Sequence, residues 1–236
     1  MDKVRLHHGC EGHAWVDRRW PEFAGLAKRE MAPLVILPVT GLASWGADLP
    51  LNAEETVTMA VLDGALRELG AAWPALVIPP WPFVFAPDPA TGFFGVDPET
   101  AHAWLDEVCT SIQASGLTRI LFLNGSPANA DVLDVAGRDL RIARGLQVFC
   151  INLDGLGLGP AETPLGEGEN GFARLARALS AAGENARTDP VAAALLEPAA
   201  RHLARLLREI QARPPLPQDG QIPSKTAFSG SFPRAT

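Results

Sequence analysis

The side chains able to do chemistry gather in loops that follow apolar runs. Ser44, Trp45, Asp48 and Glu54 come after Leu34-Val35-Ile36-Leu37, Ser126 and Asn129 after Thr118–Leu123, and Glu162 after Gln147–Leu153. Asp48, Glu54 and Glu162 are oxygen donors of the kind that Mg²⁺, Mn²⁺ or Ca²⁺ accepts. They would not make a tight transition-metal site, because all five histidines, His7, His8, His13, His102 and His202, lie outside these loops. Ser126 has no histidine in sequence reach to activate it as a nucleophile. Trp45 offers a flat face and a single N–H donor. A separate group near the start, His7, His8, Cys10 and His13, has the donor types zinc favours. Its spacing matches no standard finger, and the alternative is a loose arm or an edge segment. The chain has no Tyr, which removes one common acid–base side chain.

Regular elements must hold these residues. Apolar runs rich in β-branched residues predict strands near 34–39, 75–79, 118–123 and 147–153. Helical spacing of apolar residues lies between them, over 53–69, 97–115 and 129–144, with a last helix over 190–211. Pro21 and Pro98 sit at helix starts, and Gly116 at a helix end. Strand-helix alternation predicts an α/β fold, a three-layer α/β/α sandwich with a mainly parallel sheet. In such sheets the loops at the carboxyl ends of the strands form the ligand crevice. Glu54 has a second reading there, because carboxylates in the first turn of a helix complement its dipole. Pro127 before Ala128-Asn129 reads as a helix N-terminus that could hold an anion or a carbonyl oxygen. His102 is expected on the surface or at an interface. The run Trp81–Phe94 is rich in aromatics and reads as packing, an oligomer contact or a pocket wall for a flat ligand.

Composition narrows the classes. The chain has 236 residues, 47% hydrophobic and 20% charged, with a formal net charge of -7. It can bury a core, and it lacks the basic footprint of a nucleic-acid binder. Three separated cysteines, Cys10, Cys109 and Cys150, read as reduced thiols of a cytoplasmic protein. The start has no apolar h-region and no run is long enough to span a membrane. The organisation expected is an N-terminal arm over 1–19, one α/β domain over 20–212, and a mobile tail over 213–236 rich in Pro, Gly and Ser.

The four loops together resemble the creatininase family of amidohydrolases. In the first, Pro38, Gly46, Leu49, Pro50 and Leu51 match the family's signature, while its Glu falls on Ala43, its two His on Trp45 and Asp48, and its metal-bridging Asp on Glu54. The second begins Pro79-Pro80 as the family's does, but holds no His up to Gly95. In the third, Asn124, Gly125 and Asn129 match, with Ser126 in place of a metal-ligating His. In the fourth, Gly159, Glu162 and Thr163 match, with Gly157 in place of a His.

The resemblance implies a creatininase-like fold whose divalent-metal chemistry has lost most of its ligands. No cofactor is expected; a hard metal (Mg²⁺, Mn²⁺ or Ca²⁺) on Asp48, Glu54 and Glu162 is the weaker alternative. The implied protein is non-catalytic, a ligand-binding or structural subunit. It would be a hexamer-like homo-oligomer or would pair with an active relative. The alternative is a divergent amidohydrolase acting on the C–N bond of a small cyclic amide through those three carboxylates. Pocket candidates are Ser44, Trp45, Asp48, Glu54, Ser126, Asn129 and Glu162. Trp45 is expected to fill the crevice, largely buried near Ser126 and Glu162, with its N–H on Glu162 or Glu54.

Overall fold

A computed structural model describes residues 10, 12–85, 94–159, 162–163, 166–167, 170–183 and 188–214. Four parallel strands form the central sheet: β1 (Leu34–Val39), β2 (Ala75–Val77), β3 (Arg119–Asn124) and β4 (Gln147–Asn152), in the order β2-β1-β3-β4. β1 and β3 are the inner strands, in register from Val35 opposite Ile120 to Val39 opposite Asn124.

Every residue of β1 is buried because the sheet is covered on both faces. Side chains alternate along a strand. Leu34 and Ile36 therefore enter one core with α2 (Ala53–Leu69), α5 (Gly171–Ala182) and α6 (Pro190–Ala212). Val35, Leu37 and Val39 enter the other with α1 (Trp20–Leu26), α3 (Pro98–Ala114) and α4 (Ala130–Arg144). The three layers are thus α2/α5/α6, sheet, and α1/α3/α4, as the α/β/α expectation has it.

Local chemistry sets the helix ends. Asp97 accepts from Thr100 N at 2.9 Å ahead of Pro98, and Asp189 accepts from Val191 N and Ala192 N, each satisfying donors that a helix start leaves open. α3 and α4 are followed by Gly116 and Gly145, both at positive φ.

Three features depart from the sequence reading. β2 stops at Val77, because Pro79 and Pro80 cannot donate to a ladder. The helix α5 is capped by Asn170, whose side chain accepts from Phe172 N at 2.8 Å, and it buries Phe172, Leu175, Ala176 and Leu179. A two-stranded antiparallel hairpin, β5 (Glu162–Thr163) with β6 (Gly166–Glu167), precedes it.

The described part of the aromatic run takes the packing reading. Trp81 and Phe85 are buried, and Trp81 packs edge-on against Phe83 and Phe85 and onto Trp104 of α3. Their surface therefore contributes to the core rather than facing solvent. Phe94 is exposed, and residues 86–93 lie outside the described residues. No described helix is long and apolar enough to cross a membrane.

Candidate functional site

The loops after β1 and β3 meet over the start of α2. The β1 loop runs from Thr40 to Asn52. Its Leu49 is buried, while Ser44, Gly46, Ala47 and Asp48 are exposed. Ala43 N donates to Leu51 O at 3.2 Å, which closes the base of the loop.

Glu54 is the centre of this region. It sits in the first turn of α2 and is 1% exposed. The Trp45 indole Nε1–H donates to Glu54 Oε1 at 2.9 Å. The other oxygen, Oε2, is buried without a hydrogen-bond partner among the described residues. Burial pushes the Glu54 pKa up, against the opposing pull of the Trp45 N–H, the Ser126 hydroxyl and the Gly41 backbone. The last two act on the carboxyl at short range, although neither meets hydrogen-bond geometry at Oε2. The space is tight: a Cβ on Gly41 would stand 2.7 Å from Oε2, 2.6 Å from Val84 Cγ2 and 3.4 Å from Ser126 Oγ. Only glycine lets the backbone pass this close to the carboxyl.

Trp45 is half-buried and stacks on Phe172 of α5, with ring centroids 4.3 Å apart and planes 28° apart. The ring packs against the core of α2, α5 and α6, partly buried. Glu54 is its acceptor, one of the two acceptors expected. Ser126 is buried and meets the same carboxyl from the β3 side. The Glu162 side chain lies outside the described residues, so the predicted Trp45–Glu162 neighbourhood does too.

The remaining candidates are used elsewhere. Asp48 is exposed, and Arg177 of α5 donates from Nε to its Oδ2 at 2.6 Å. That bond holds the Asp48 carboxyl below its usual range. The Ser44 hydroxyl is exposed and accepts from Gly46 N at 3.4 Å. Asn129 is fully buried, accepts from Phe85 N at 2.8 Å, and donates to Thr40 O at 3.3 Å and Phe83 O at 3.1 Å. It ties three loops together, and both of its N–H donors are spent on backbone carbonyls. The structure thus brings together Trp45, Glu54 and Ser126, and sets Ser44, Asp48 and Asn129 to other tasks.

Gly41 of the β1 loop completes the region with Phe172, Arg177 and Val84, which sequence reasoning misses. Asn170 followed by apolar residues at 172, 175, 176 and 179 was the readable signal for the helix that brings Phe172 and Arg177.

A metal centre does not fit this donor set. Among the described residues no group of three or more His, Cys, Asp or Glu is placed to hold an ion. Glu54 is engaged by the indole and Asp48 by a guanidinium. The N-terminal group is placed only in part, with His7 and His8 outside the described residues. Val77 N donates to His13 O at 2.8 Å and Ala14 bridges Val77, so residues 13–14 lie along the outer edge of β2. That is the edge-segment alternative. Burial pushes the Cys10 thiol up to about 12, which disfavours the thiolate that metals bind. His102 bonds Asp139 Oδ2 at 3.1 Å on the surface.

A parallel α/β/α domain with its polar cluster at the carboxyl ends of the inner strands defines the class. The family model for creatininase, creatinine amidohydrolase, matches residues 17–204, and the chain belongs to that family. Solved structures agree on the fold. A crystal structure of creatinine amidohydrolase (creatininase) superposes with a TM-score of 0.65 at 16% identity, covering 87% of this chain and 100% of that one. A manganese creatininase gives 0.64 at 17% identity, covering 85% and 99%. A putative creatinine amidohydrolase from Bacteroides fragilis gives 0.56 at 18% identity, covering 77% and 90%. No curated protein matches the chain in a sequence search.

Proposed function

We propose that this chain is a creatininase-family protein that has given up metal-dependent hydrolysis and acts as a ligand-binding or structural subunit. The observation that carries this reading is the bond from the Trp45 indole to Glu54. By the family resemblance, Glu54 stands at the metal-bridging carboxylate and Trp45 at a histidine ligand. Here the two satisfy each other. Ala43, Ser126 and Gly157 supply neither imidazole nor carboxylate at the other ligand positions. The subunit assembles as a cytoplasmic oligomer, with itself or with an active relative. Exposed Trp20, Val135 and Ile142 provide apolar surface for such contacts. The organisation proposed is one domain over 20–212 between an arm (1–19) and a tail (213–236).

A second reading has one observation in its favour. A buried carboxyl with a raised pKa and an unpaired oxygen is the kind of group that transfers protons in active sites. A divergent amidohydrolase would use Glu54 in that way on a small cyclic amide, with Asp48 and Glu162 as partners. The exposed Asp48–Arg177 pair weakens this reading, because it takes Asp48 out of the cluster.

Incubating the protein with creatinine and other small cyclic amides, with and without Mn²⁺ or Zn²⁺, decides between them. The first reading predicts no hydrolysis above the uncatalysed rate. Turnover that is lost in Glu54→Ala establishes the second.

A further inference from the structure

The two edges of the sheet differ. At the β2 edge, Val77 N donates to His13 O and Ala14 bridges Val77. At the other edge, no strand among the described residues pairs with the outside of β4. β3 is buried throughout, whereas Gln147, Phe149, Cys150 and Ile151 of β4 are half-buried and Asn152 is exposed. Gln147 N donates to Thr118 O at 2.8 Å, toward β3. Backbone groups alternate in direction along a strand, so Val148, Cys150 and Asn152 turn their N–H and C=O outward. Arg141 Nη1 reaches Val148 O at 3.2 Å and covers that one carbonyl. A row of open backbone groups is a template for another strand.

The open edge borders a groove of about 280 Å³ between α4 and α6. Phe149, Ile151, Leu206 and Ile210 make one wall apolar, and Asp134 and Glu209 put carboxylates at its rims. The chain leaves α6 at this groove. Arg213 lies over the Phe149 ring, 5.9 Å from its centroid, and Gln147 Nε2 donates to Pro214 O at 3.1 Å. Beside that exit, Gln147 Oε1 and Gln211 Oε1 are buried without a hydrogen-bond partner among the described residues, and buried acceptors call for N–H donors. Residues 215–236 follow. Among them Lys225-Thr226-Ala227-Phe228-Ser229 is the stretch suited to a strand, with Thr226 and Phe228 at alternate positions and Pro223 and Pro233 outside it. At ~3.3 Å per residue, 215–223 can span about 30 Å, more than the roughly 20 Å length of β4. The stretch can therefore reach any part of the edge. Its tether keeps its effective concentration near millimolar, ahead of a strand from another molecule.

We propose that residues 225–229 of this chain add a fifth strand to the outer edge of β4 and fill the groove between α4 and α6. With Phe228 turned to the apolar wall, Lys225 and Ala227 fall on the α4 side, where Asp134 offers the opposite charge. The site is separate from the crevice, so it stands or falls apart from the function proposed above.

The test is hydrogen–deuterium exchange of backbone amides, followed by NMR on the full chain. The variant carries Thr226→Pro and Ala227→Pro together. One of the two lost N–H groups then faces β4 whichever register the strand takes. The outward amides of Cys150 and Asn152 are expected to exchange about tenfold faster or more in the variant than in the wild type. The amides of Phe149 and Ile151, which face β3, are expected to exchange equally in both. Fast exchange of Cys150 and Asn152 in the wild type overturns the proposal. So does protection that survives both prolines. If such protection falls on dilution, a second copy of the chain occupies the edge. Should the double variant fail to fold, Phe228→Asp carries the same comparison, since it keeps every N–H and sets a charge against the apolar wall.

Discussion

Two neighbouring loops at the top of the sheet use their polar residues in different ways. After β3, the residues that match the family pattern are kept, and each has a packing or bonding reason. Asn124 donates to Asn152 Oδ1 at 2.8 Å and accepts from Ser126 N at 3.0 Å. Gly125 faces α2 so closely that a Cβ would stand 2.0 Å from Thr58 Oγ1. Asn129 bonds three backbone groups from two other loops. After β1, Trp45 and Glu54 close on each other. The contrast separates motif residues that build the crevice from motif residues that act in it.

If the β3 loop is scaffold, damage to it should cost stability first. Asn129→Ala leaves Phe85 N–H and two carbonyls buried and unpaired, and is expected to lose about 4 kcal/mol. Chemical denaturation measures this, and a change below about 1 kcal/mol would remove Asn129 from the scaffold class. Gly125→Ala drives a methyl into Thr58, which is buried in the middle of α2 and already donates to Glu54 O at 2.6 Å. A loss of about 3 kcal/mol is expected, typical of overpacking, and a variant with wild-type stability would show that the two elements can separate.

The β1 loop predicts a pH effect of a particular sign. Burial raises the Glu54 pKa in the folded state above 4.5. The associated stability is therefore complete below the unfolded carboxyl value and is lost as pH rises through the folded one. Glu54→Gln carries no such charge. Its melting temperature, plotted against that of the wild type, should gain on it as pH climbs above about 4.5, and parallel curves would mean that Glu54 ionises freely. The smallest effect belongs to Asp48→Asn. Its pair with Arg177 is at the surface, so no measurable change in melting temperature is expected, and a clear drop would make the loop tip part of the core.

The scaffold was the legible part of the sequence. Continuous apolar runs such as Leu34–Leu37 marked buried parallel strands, and the order of four loop motifs marked the fold. The absence of histidine from the loops was equally plain. The use of the remaining polar residues was not. Asn129 looked like a pocket residue because sequence shows a side chain's type and not whether backbone groups from distant loops will consume it. Asp48 reads as a ligand in the sequence because its partner Arg177 is 129 positions away, on α5. For Trp45 the sequence leaves two acceptors open, Glu54 and Glu162, and its N–H takes Glu54. Its stacking on Phe172 depended on that same helix.

The central claim is that Trp45 and Glu54 stand where a metal centre would, and that this chain holds none. Elemental analysis of protein purified from cells grown with added manganese and zinc tests it most directly. The account predicts well below one equivalent of any divalent metal per chain, unchanged in Glu54→Ala. About one equivalent per chain in the wild type, lost in Glu54→Ala, would contradict it.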